Sequence, residues 1–102
     1  MTGLGRFADP SVLVLASLAS GPKHGYALIK DIQGFAATTV GPGTLYAALH
    51  RLQQRGLIEA LPEQDRRRPY QLTPAGVEAA RTYLRHASQV TAIGLSRLEG
   101  YA

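Results

Sequence analysis

Glycine and proline interrupt this sequence at short intervals, so every regular element before residue 73 has to be short. Eleven glycines and six prolines are spread along 102 residues, with no internal repeat or low-complexity tract between them. At this length the chain forms one domain with a single core. Hydrophobic residues make up 45% of the sequence, which is enough to offset the entropy of ordering the chain and excludes wholesale disorder.

The first predicted helix covers residues 10–19. Asp9 is its expected N-cap and Pro10 its first helical residue, and the Ser-Gly-Pro sequence at 20–22 ends it. The apolar run loosely resembles a short signal peptide, but Asp9 and Pro10 interrupt that pattern and favour a core helix in a cytoplasmic protein. The longest clean apolar run, residues 12–16, is far shorter than the about 20 residues of a membrane span, so no membrane partner is expected.

The second predicted helix covers residues 25–33. Tyr26 and Ile29, together with Ile32 or Leu28, are expected on its core side, with Lys30 and Asp31 opposite. Tyr26 is interpreted as a half-buried aromatic residue. Gly34 is expected to end the helix.

A third helix is predicted over residues 45–55, with Thr44 of the preceding Gly-Pro-Gly-Thr turn as its N-cap. Its apolar residues follow the i, i+3, i+4, i+7 spacing of one buried stripe and are Leu45, Ala48, Leu49 and Leu52. The opposite face must point outward and carries Ala47, His50, Arg51 and Gln54, with Thr44 and Tyr46 at its edges. Gly56 closes this helix.

A hairpin and a long helix follow. Two short apolar stretches, residues 57–61 and 69–72, flank a charged connection at 62–68, and this pattern predicts a β-hairpin with a basic tip. The cap-then-proline signal recurs at 73–74, and helical periodicity continues from there to Leu98. Such a helix is about 35–40 Å long, which is more than so small a domain can cover.

The last helix carries an apolar stripe along most of its length. Its first part, residues 77–84, is expected to complete the core of the same chain, but beyond it too little chain remains to cover the stripe. We therefore expect a homodimer with an interface made by Leu4, Phe7, Ala87, Val90, Thr91, Gly94, Leu95 and Leu98. On this basis residues 1–73 form one unit, with the short helices and the hairpin, and residues 74–102 form the dimerisation helix.

Charge and composition narrow the function. Eleven Lys and Arg against seven Asp and Glu give a net charge of +4, which favours an anionic partner such as nucleic acid, a membrane surface or an acidic protein. The absence of cysteine excludes thiol chemistry, and the three histidines form no close pair on one helical face, so no metal or other cofactor is expected. The seven carboxylates form no paired catalytic set, so an enzyme is not expected.

The predicted order is helix, helix, turn, helix, basic hairpin and long helix. This is the order of a winged helix-turn-helix domain, so the expected fold is mainly α with a small β-hairpin. In that fold the helix after the turn enters the DNA major groove, and residues 45–55 supply both the apolar side that anchors such a helix and the polar side that meets base edges. A winged helix that binds protein and not DNA is the alternative, because a fold does not determine a function.

Three segments carry a resemblance to a known family. They read HGYALIKDI at 24–32, GTLYAALHRL at 43–52 continuing to GLI at 56–58, and YQLTPAG at 70–76. Together with the pieces that connect them, they span about residues 11–80 and resemble the PadR-like transcriptional regulators. The resemblance implies a homodimeric repressor that binds an inverted-repeat operator through the third helix and the wing. The single C-terminal helix is similar to that of the short subgroup, in which it is the dimerisation element.

The candidate DNA-binding residues combine both arguments: Lys23, His24, Gly43, Thr44, Tyr46, Ala47, His50, Arg51, Arg66, Arg67 and Arg68. The resemblance implies that Thr44, Tyr46 and His50 are recognition-helix positions and that His24 and Tyr26 orient that helix. Arg67 stands where the family usually has glycine, which leaves the geometry of the wing tip open. The seam between the last helices of the dimer is a candidate pocket for a small apolar effector, and the resemblance implies an aromatic or cationic one, although the chain has no tryptophan to line the pocket.

Overall fold

The computed structural model describes residues 9–101 and forms, over that range, four helices and one two-stranded antiparallel sheet. The elements in chain order are α1 (Pro10–Leu18), α2 (Gly25–Ala36), α3 (Pro42–Gln54), β1 (Ile58–Ala60), β2 (Tyr70–Leu72) and α4 (Pro74–Leu98). The prediction of a mainly α fold with a small β-hairpin is confirmed.

One hydrophobic core lies between α1, α2 and α3, and the sheet and the start of α4 close it. Its buried members are Leu13, Val14, Leu15, Leu18, Leu28, Ile32, Val40, Leu45, Ala48, Leu49, Leu52, Ile58 and Ala80. All four residues of the stripe predicted on α3 are among them, each at most 3% exposed. Each buried leucine contributes about 1.5–3 kcal/mol, so this stripe holds α3 firmly against the core.

Two N-caps predicted from the sequence are confirmed. The Asp9 carboxylate accepts a hydrogen bond from the backbone N–H of Ser11 at 2.8 Å, and Pro10 is the first residue of α1. The Thr73 hydroxyl oxygen accepts one from the N–H of Gly76 at 3.0 Å at the start of α4. In both places proline fits the first helical position, where its missing N–H would have no intrahelical partner.

Two expectations for α2 are wrong. Gly34 does not end the helix, which continues to Ala36 and ends at Ala37 in the left-handed conformation, with φ 52°. A glycine inside an exposed helix costs only about 1 kcal/mol, and the packing of Ala36 on the core offsets that cost. Tyr26 is 63% exposed, not half-buried, because the buried side of α2 runs through Leu28 and Ile32 on the other side of the helix.

The start of α3 also differs from the prediction. The helix begins at Pro42, with Gly41 as its N-cap, and no side chain caps it. The assignment of Thr44 as the N-cap is therefore wrong, since Thr44 lies within the first helical turn. The preset φ of proline favours the first helical position over the turn that precedes it.

The hairpin has a two-residue tip. Ile58, Glu59 and Ala60 of β1 face the three residues of β2, and a single backbone bridge from Lys23 to Tyr70 adds to β2. Gln64 and Arg67 exchange both backbone hydrogen bonds at 2.8 Å, while Asp65 and Arg66 have φ of 50° and 66°. These are the φ values of a type I′ turn, and Arg66 rather than Arg67 occupies the second left-handed position, which favours glycine.

The first turns of α4 pack on the body of the protein, and the remainder extends away from it. Gly76 and Ala80 are buried, but Val77 is 39% and Leu84 is 37% exposed, so the expectation that residues 77–84 lie in the core holds at Ala80 and is wrong for Val77 and Leu84. At about 1.5 Å per residue, the 25 residues of α4 span about 38 Å. In the described part of the chain, no helix is long and apolar enough to cross a membrane.

Candidate nucleic-acid interface

The middle of the outward face of α3 is not covered by the chain segments that the structure describes. Ala47, His50 and Gln54 are exposed along the middle of this face. Tyr46 is 51% exposed at one edge, and Arg51 is exposed at the other. The buried leucines on the other side of α3 anchor the helix to the core. The outward face therefore presents its polar side chains from a helix that is fixed to the body of the protein.

The N-terminal end of α3 is open and built from small residues. Gly41, Pro42 and Gly43 are exposed, and a Cβ added at Gly43 would meet no atom within 4 Å. Thr44 is half-buried in the first turn. The unpaired backbone N–H groups of this turn carry the positive end of the helix dipole, which suits a phosphate oxygen.

A concave site of about 330 Å³ joins the start of α2, the exposed edge of α3 and the wing. Its lining combines aromatic and cationic side chains and consists of His24, Gly25, Tyr26, Tyr46, Arg66, Arg67, Arg68 and Tyr70. None of these residues, all within the described part of the chain, is acidic. The structure therefore brings together five of the residues expected at the interface, His24, Tyr46 and the three arginines.

Gly25 allows the close approach of Tyr46 to α2. A Cβ at Gly25 would overlap Tyr46 Oη and would lie 2.9 Å from Tyr46 Cζ. The sequence motifs at 24–32 and 43–52 thus meet in space at this contact. Sequence reasoning did not place Gly25, Tyr26 and Tyr70 in the lining, because only the packing of α2 on α3 and the pairing of β2 bring them there.

The three wing arginines differ in their contacts. Arg68 Nη1 donates to the carbonyl oxygen of Leu61 at 3.0 Å, which holds its guanidinium against the hairpin backbone. Arg67 Nη1 lies 3.3 Å from His24 Nε2, across the gap between the wing and α2. Arg66 is exposed at the tip of the turn.

Two candidate residues lie away from this cluster. Arg51 Nη2 donates to the Ser11 hydroxyl at 3.2 Å and so points toward α1. The ammonium group of Lys23 points into the protein: Nζ donates to the Ser17 carbonyl oxygen at 2.5 Å and to the Ser20 hydroxyl at 2.6 Å. The same group lies 3.9 Å from the carboxylate of Asp31, and the Lys23 side chain is 17% exposed.

The predicted dimer residues on α4 are exposed in the single chain. Val90, Leu95 and Leu98 are 57%, 60% and 62% exposed, and Ala87 is half-buried. Thr91 and Gly94 are exposed between them, whereas Leu4 and Phe7 lie outside the described residues.

An open apolar groove of about 720 Å³ continues the α4 stripe toward the body of the protein. It lies between α1, the end of α2 and the middle of α4, and its lining includes Val12, Phe35, Tyr83, Leu84 and Ala87. Phe35, which is 52% exposed, was missed by the sequence analysis because α2 was expected to end before it. Within residues 9–101 no three His, Cys, Asp or Glu side chains are placed to hold a metal ion.

Comparisons with known proteins agree with this architecture. A PadR-like regulator from Bacillus cereus is 23% identical and superposes with a TM-score of 0.80, covering 88% of this chain and 91% of that chain. A PadR family regulator from Clostridium difficile is 20% identical, with a TM-score of 0.79 over 89% of this chain and 99% of that chain. At these identities the two structures establish the fold alone.

The sequence comparisons establish the family. An uncharacterized 37.1 kDa protein in transposon TN4556 of Streptomyces fradiae is 48% identical over 73 residues, which is 72% of this chain. The chain spans only 21% of that relative. The model of the transcriptional regulator PadR-like family matches residues 14–82, well over half of the sequence. The chain therefore belongs to the PadR-like family of transcriptional regulators.

Proposed function

We propose that this protein is a cytoplasmic repressor that binds an inverted-repeat operator as a homodimer. In each subunit α3 enters the major groove, and its outward face reads base edges with Tyr46, Ala47 and His50. The start of α3, at Gly43 and Thr44, and the wing bind the phosphate backbone on either side.

A single observation carries this proposal: the outward face of α3 is exposed next to three arginines of the wing. A B-DNA major groove is about 12 Å wide and accepts one helix, so the groups beside that helix must meet the flanking phosphates. The exposed guanidinium groups of Arg66 and Arg67 are suited to phosphate oxygens. Arg68 and Arg51 keep an exposed part for the same purpose, although each also has a partner within the chain.

The proposed dimer joins two copies through the exposed stripe of α4. Residues 1–73 bind DNA and residues 74–102 assemble the dimer, and the first turns of α4, with Gly76 and Ala80 buried, connect the two units. The stripe and the groove beside it form one continuous apolar surface, and a second α4 is long enough to cover it. The two-fold symmetry of the dimer then gives the operator its inverted repeat.

A selection of bound fragments from random DNA tests the function, followed by a salt titration on the selected site. We expect an inverted repeat and an affinity that falls steeply with salt, by about 0.9 log units per phosphate contact for each log unit of salt. A protein-binding winged helix would enrich no sequence and would leave no DNA affinity to titrate.

Substitutions in the wing and in α3 are expected to act differently. The double variant Arg66→Ala with Arg67→Ala should weaken binding to the operator and to random DNA alike and should lower the salt slope. The variant His50→Ala should lower the ratio of specific to random affinity by about tenfold or more, because one base contact contributes about 1–3 kcal/mol. The matched control His86→Ala removes an exposed histidine from α4 and should change neither quantity. Equal losses on both DNAs for His50→Ala would contradict base readout by this residue.

Lys23 is expected to stabilise the fold rather than to bind a phosphate. The variant Lys23→Met removes the hydrogen bonds to Ser17 and Ser20 and should lower the free energy of unfolding by about 1–3 kcal/mol. Because the ammonium group points inward, the salt slope of DNA binding should stay the same. Denaturant unfolding and a salt titration of the same variant check both results. If the slope of DNA affinity against salt fell by about 0.9 per subunit, Lys23 would be a phosphate contact after all.

The groove beside α4 is the proposed position of an apolar or aromatic effector. Its volume of about 720 Å³ and its side chains from Phe35, Tyr83 and Leu84 suit such a molecule. A ligand held between α1 and α4 contacts both the body and the dimerisation helix, so it can change the distance between the two recognition helices and release the operator.

A further inference from the structure

Two hydrogen-bond donors approach the ring of His24, and the capping of α2 favours one of its two neutral tautomers. His24 is the N-cap of α2, and its Nδ1 accepts a hydrogen bond from the backbone N–H of Ala27 at 3.3 Å. The Ala27 N–H and the Arg67 guanidinium can both only donate, so a neutral ring accepts from one of them, and the capping of α2 favours Nδ1 as the acceptor. A neutral imidazole has one N–H group, and in this arrangement it lies on Nε2.

Two hydrogen-bond donors therefore face each other between α2 and the wing. Nε2 of His24 lies 3.3 Å from Nη1 of Arg67, and a guanidinium group has no acceptor. In the described part of the chain, no oxygen is hydrogen-bonded to either nitrogen. Two convergent donors without an acceptor need an oxygen of a ligand, and the positive charge of Arg67 favours an anion.

The surroundings of this pair favour a phosphate. Arg66 and Arg68 line the same concave site, which contains no acidic side chain among its lining residues, all of them described. The start of α2, which His24 caps, adds the positive end of a helix dipole. The site also lies at the edge of α3, on the side where the wing would follow the DNA backbone.

We propose that His24 and Arg67 bind one phosphate group of the DNA backbone between them. The N-cap bond holds His24 in the Nε2–H tautomer, so the local structure of α2 prepares the donor that the phosphate uses. The two residues come from elements 43 positions apart in the sequence, and the shared phosphate therefore connects the wing to the helix-turn-helix. This inference rests on the proposed DNA-binding function.

The tautomer is tested first, on the free protein. Long-range ¹H–¹⁵N correlation spectra of the imidazole ring should give the Nε2–H form for His24. A proton on Nδ1 would overturn the inference without any reference to DNA. The variant His24→Asn keeps an oxygen that caps α2 but has no group that reaches the position of Nε2, so its thermal midpoint should match that of the native chain.

A scan of methylphosphonates then locates the phosphate. One phosphate at a time in the selected operator is replaced by an uncharged methylphosphonate. At one symmetric position the native protein should lose affinity by about tenfold or more, and both His24→Asn and Arg67→Gln should lose less there, because each variant lacks one of the two donors to that phosphate. The control Arg85→Gln makes the same charge change on α4 and should keep the full sensitivity at that position.

The outcomes separate this inference from the proposed function. The shared contact would be overturned if the two variants became less sensitive to methylphosphonates at two different positions, or if both kept the full sensitivity of the native protein. DNA binding itself would still stand. A native protein that binds no duplex would instead refute the proposed function. If His24→Asn does not fold, the contact is tested by the methylphosphonate scan of Arg67→Gln, which changes an exposed hairpin side chain, and by the spectra that report the tautomer of His24.

Discussion

Replacing Gly76 with alanine is expected to lower the free energy of unfolding by about 3 kcal/mol, a large part of the stability of a small domain. A Cβ at Gly76 would overlap the carbonyl oxygen of Leu57 and would lie 2.9 Å from its carbonyl carbon. That carbonyl is backbone and already accepts a hydrogen bond from the N–H of Thr73 at 3.1 Å, so it cannot move aside alone. Denaturant unfolding at a constant protein concentration measures the effect.

The substitution should disrupt the packing of α4 against Gly56 and Leu57, which connect α3 to β1. The Thr73 hydroxyl donates to the carbonyl oxygen of Gly56 at 2.6 Å and caps α4 at the same time, so a shift of α4 disturbs both bonds. The matched control is Gly34→Ala in α2, where a Cβ meets no atom within 4 Å. This change should raise the stability by about 0.5–1 kcal/mol, because alanine favours a helix interior over glycine. Equal effects of the two substitutions would contradict the close contact at Gly76.

The variant Leu95→Asp is expected to convert the proposed dimer to monomers. In the proposed interface the new carboxylate would be removed from water without a partner, which should raise the dimer Kd at least about 100-fold. Because Leu95 is 60% exposed in the single chain, the fold of each monomer should remain intact. Sedimentation measures the assembly, and circular dichroism checks the fold. Operator affinity should fall as well, since a monomer binds only one half-site.

Ile93→Asp is the matched control for this prediction. Ile93 is 52% exposed and lies two residues earlier on α4, about 160° away around the helix. It should leave the sedimentation of the dimer unchanged. A dimer that survives Leu95→Asp would contradict the proposed interface, and dissociation by Ile93→Asp alone would place the contact on the other side of α4.

Most of the secondary structure could be predicted because its signals are local. The apolar spacing of residues 45–55 predicted which side of α3 is buried, and the N-caps at Asp9 and Thr73 followed from a polar residue before a proline. The two wrong helix boundaries were also predicted from local signals. Gly34 and Thr44 carry signals that end or begin a helix, but α2 continues through Gly34, and Pro42 begins α3 before Thr44.

The candidate site could be predicted only in part. The sequence indicated that α3 and the arginines of the wing belong together, since the order of elements in a winged helix brings them close. It placed both Lys23 and His24 among the candidate DNA-binding residues. The fold separates them: Lys23 turns inward to the carbonyl oxygen of Ser17, and His24 turns outward to Arg67.

The amino-acid sequence alone determined where the helices and the hairpin lie, which face of α3 is buried and which family the motifs resemble, because caps and periodicity depend on residues a few positions apart. Only the tertiary structure decided that a glycine must stand at Gly76 against Leu57, and that the ring of His24 meets the guanidinium group of Arg67. Those contacts join residues 19 and 43 positions apart, and their geometry depends on how whole elements pack.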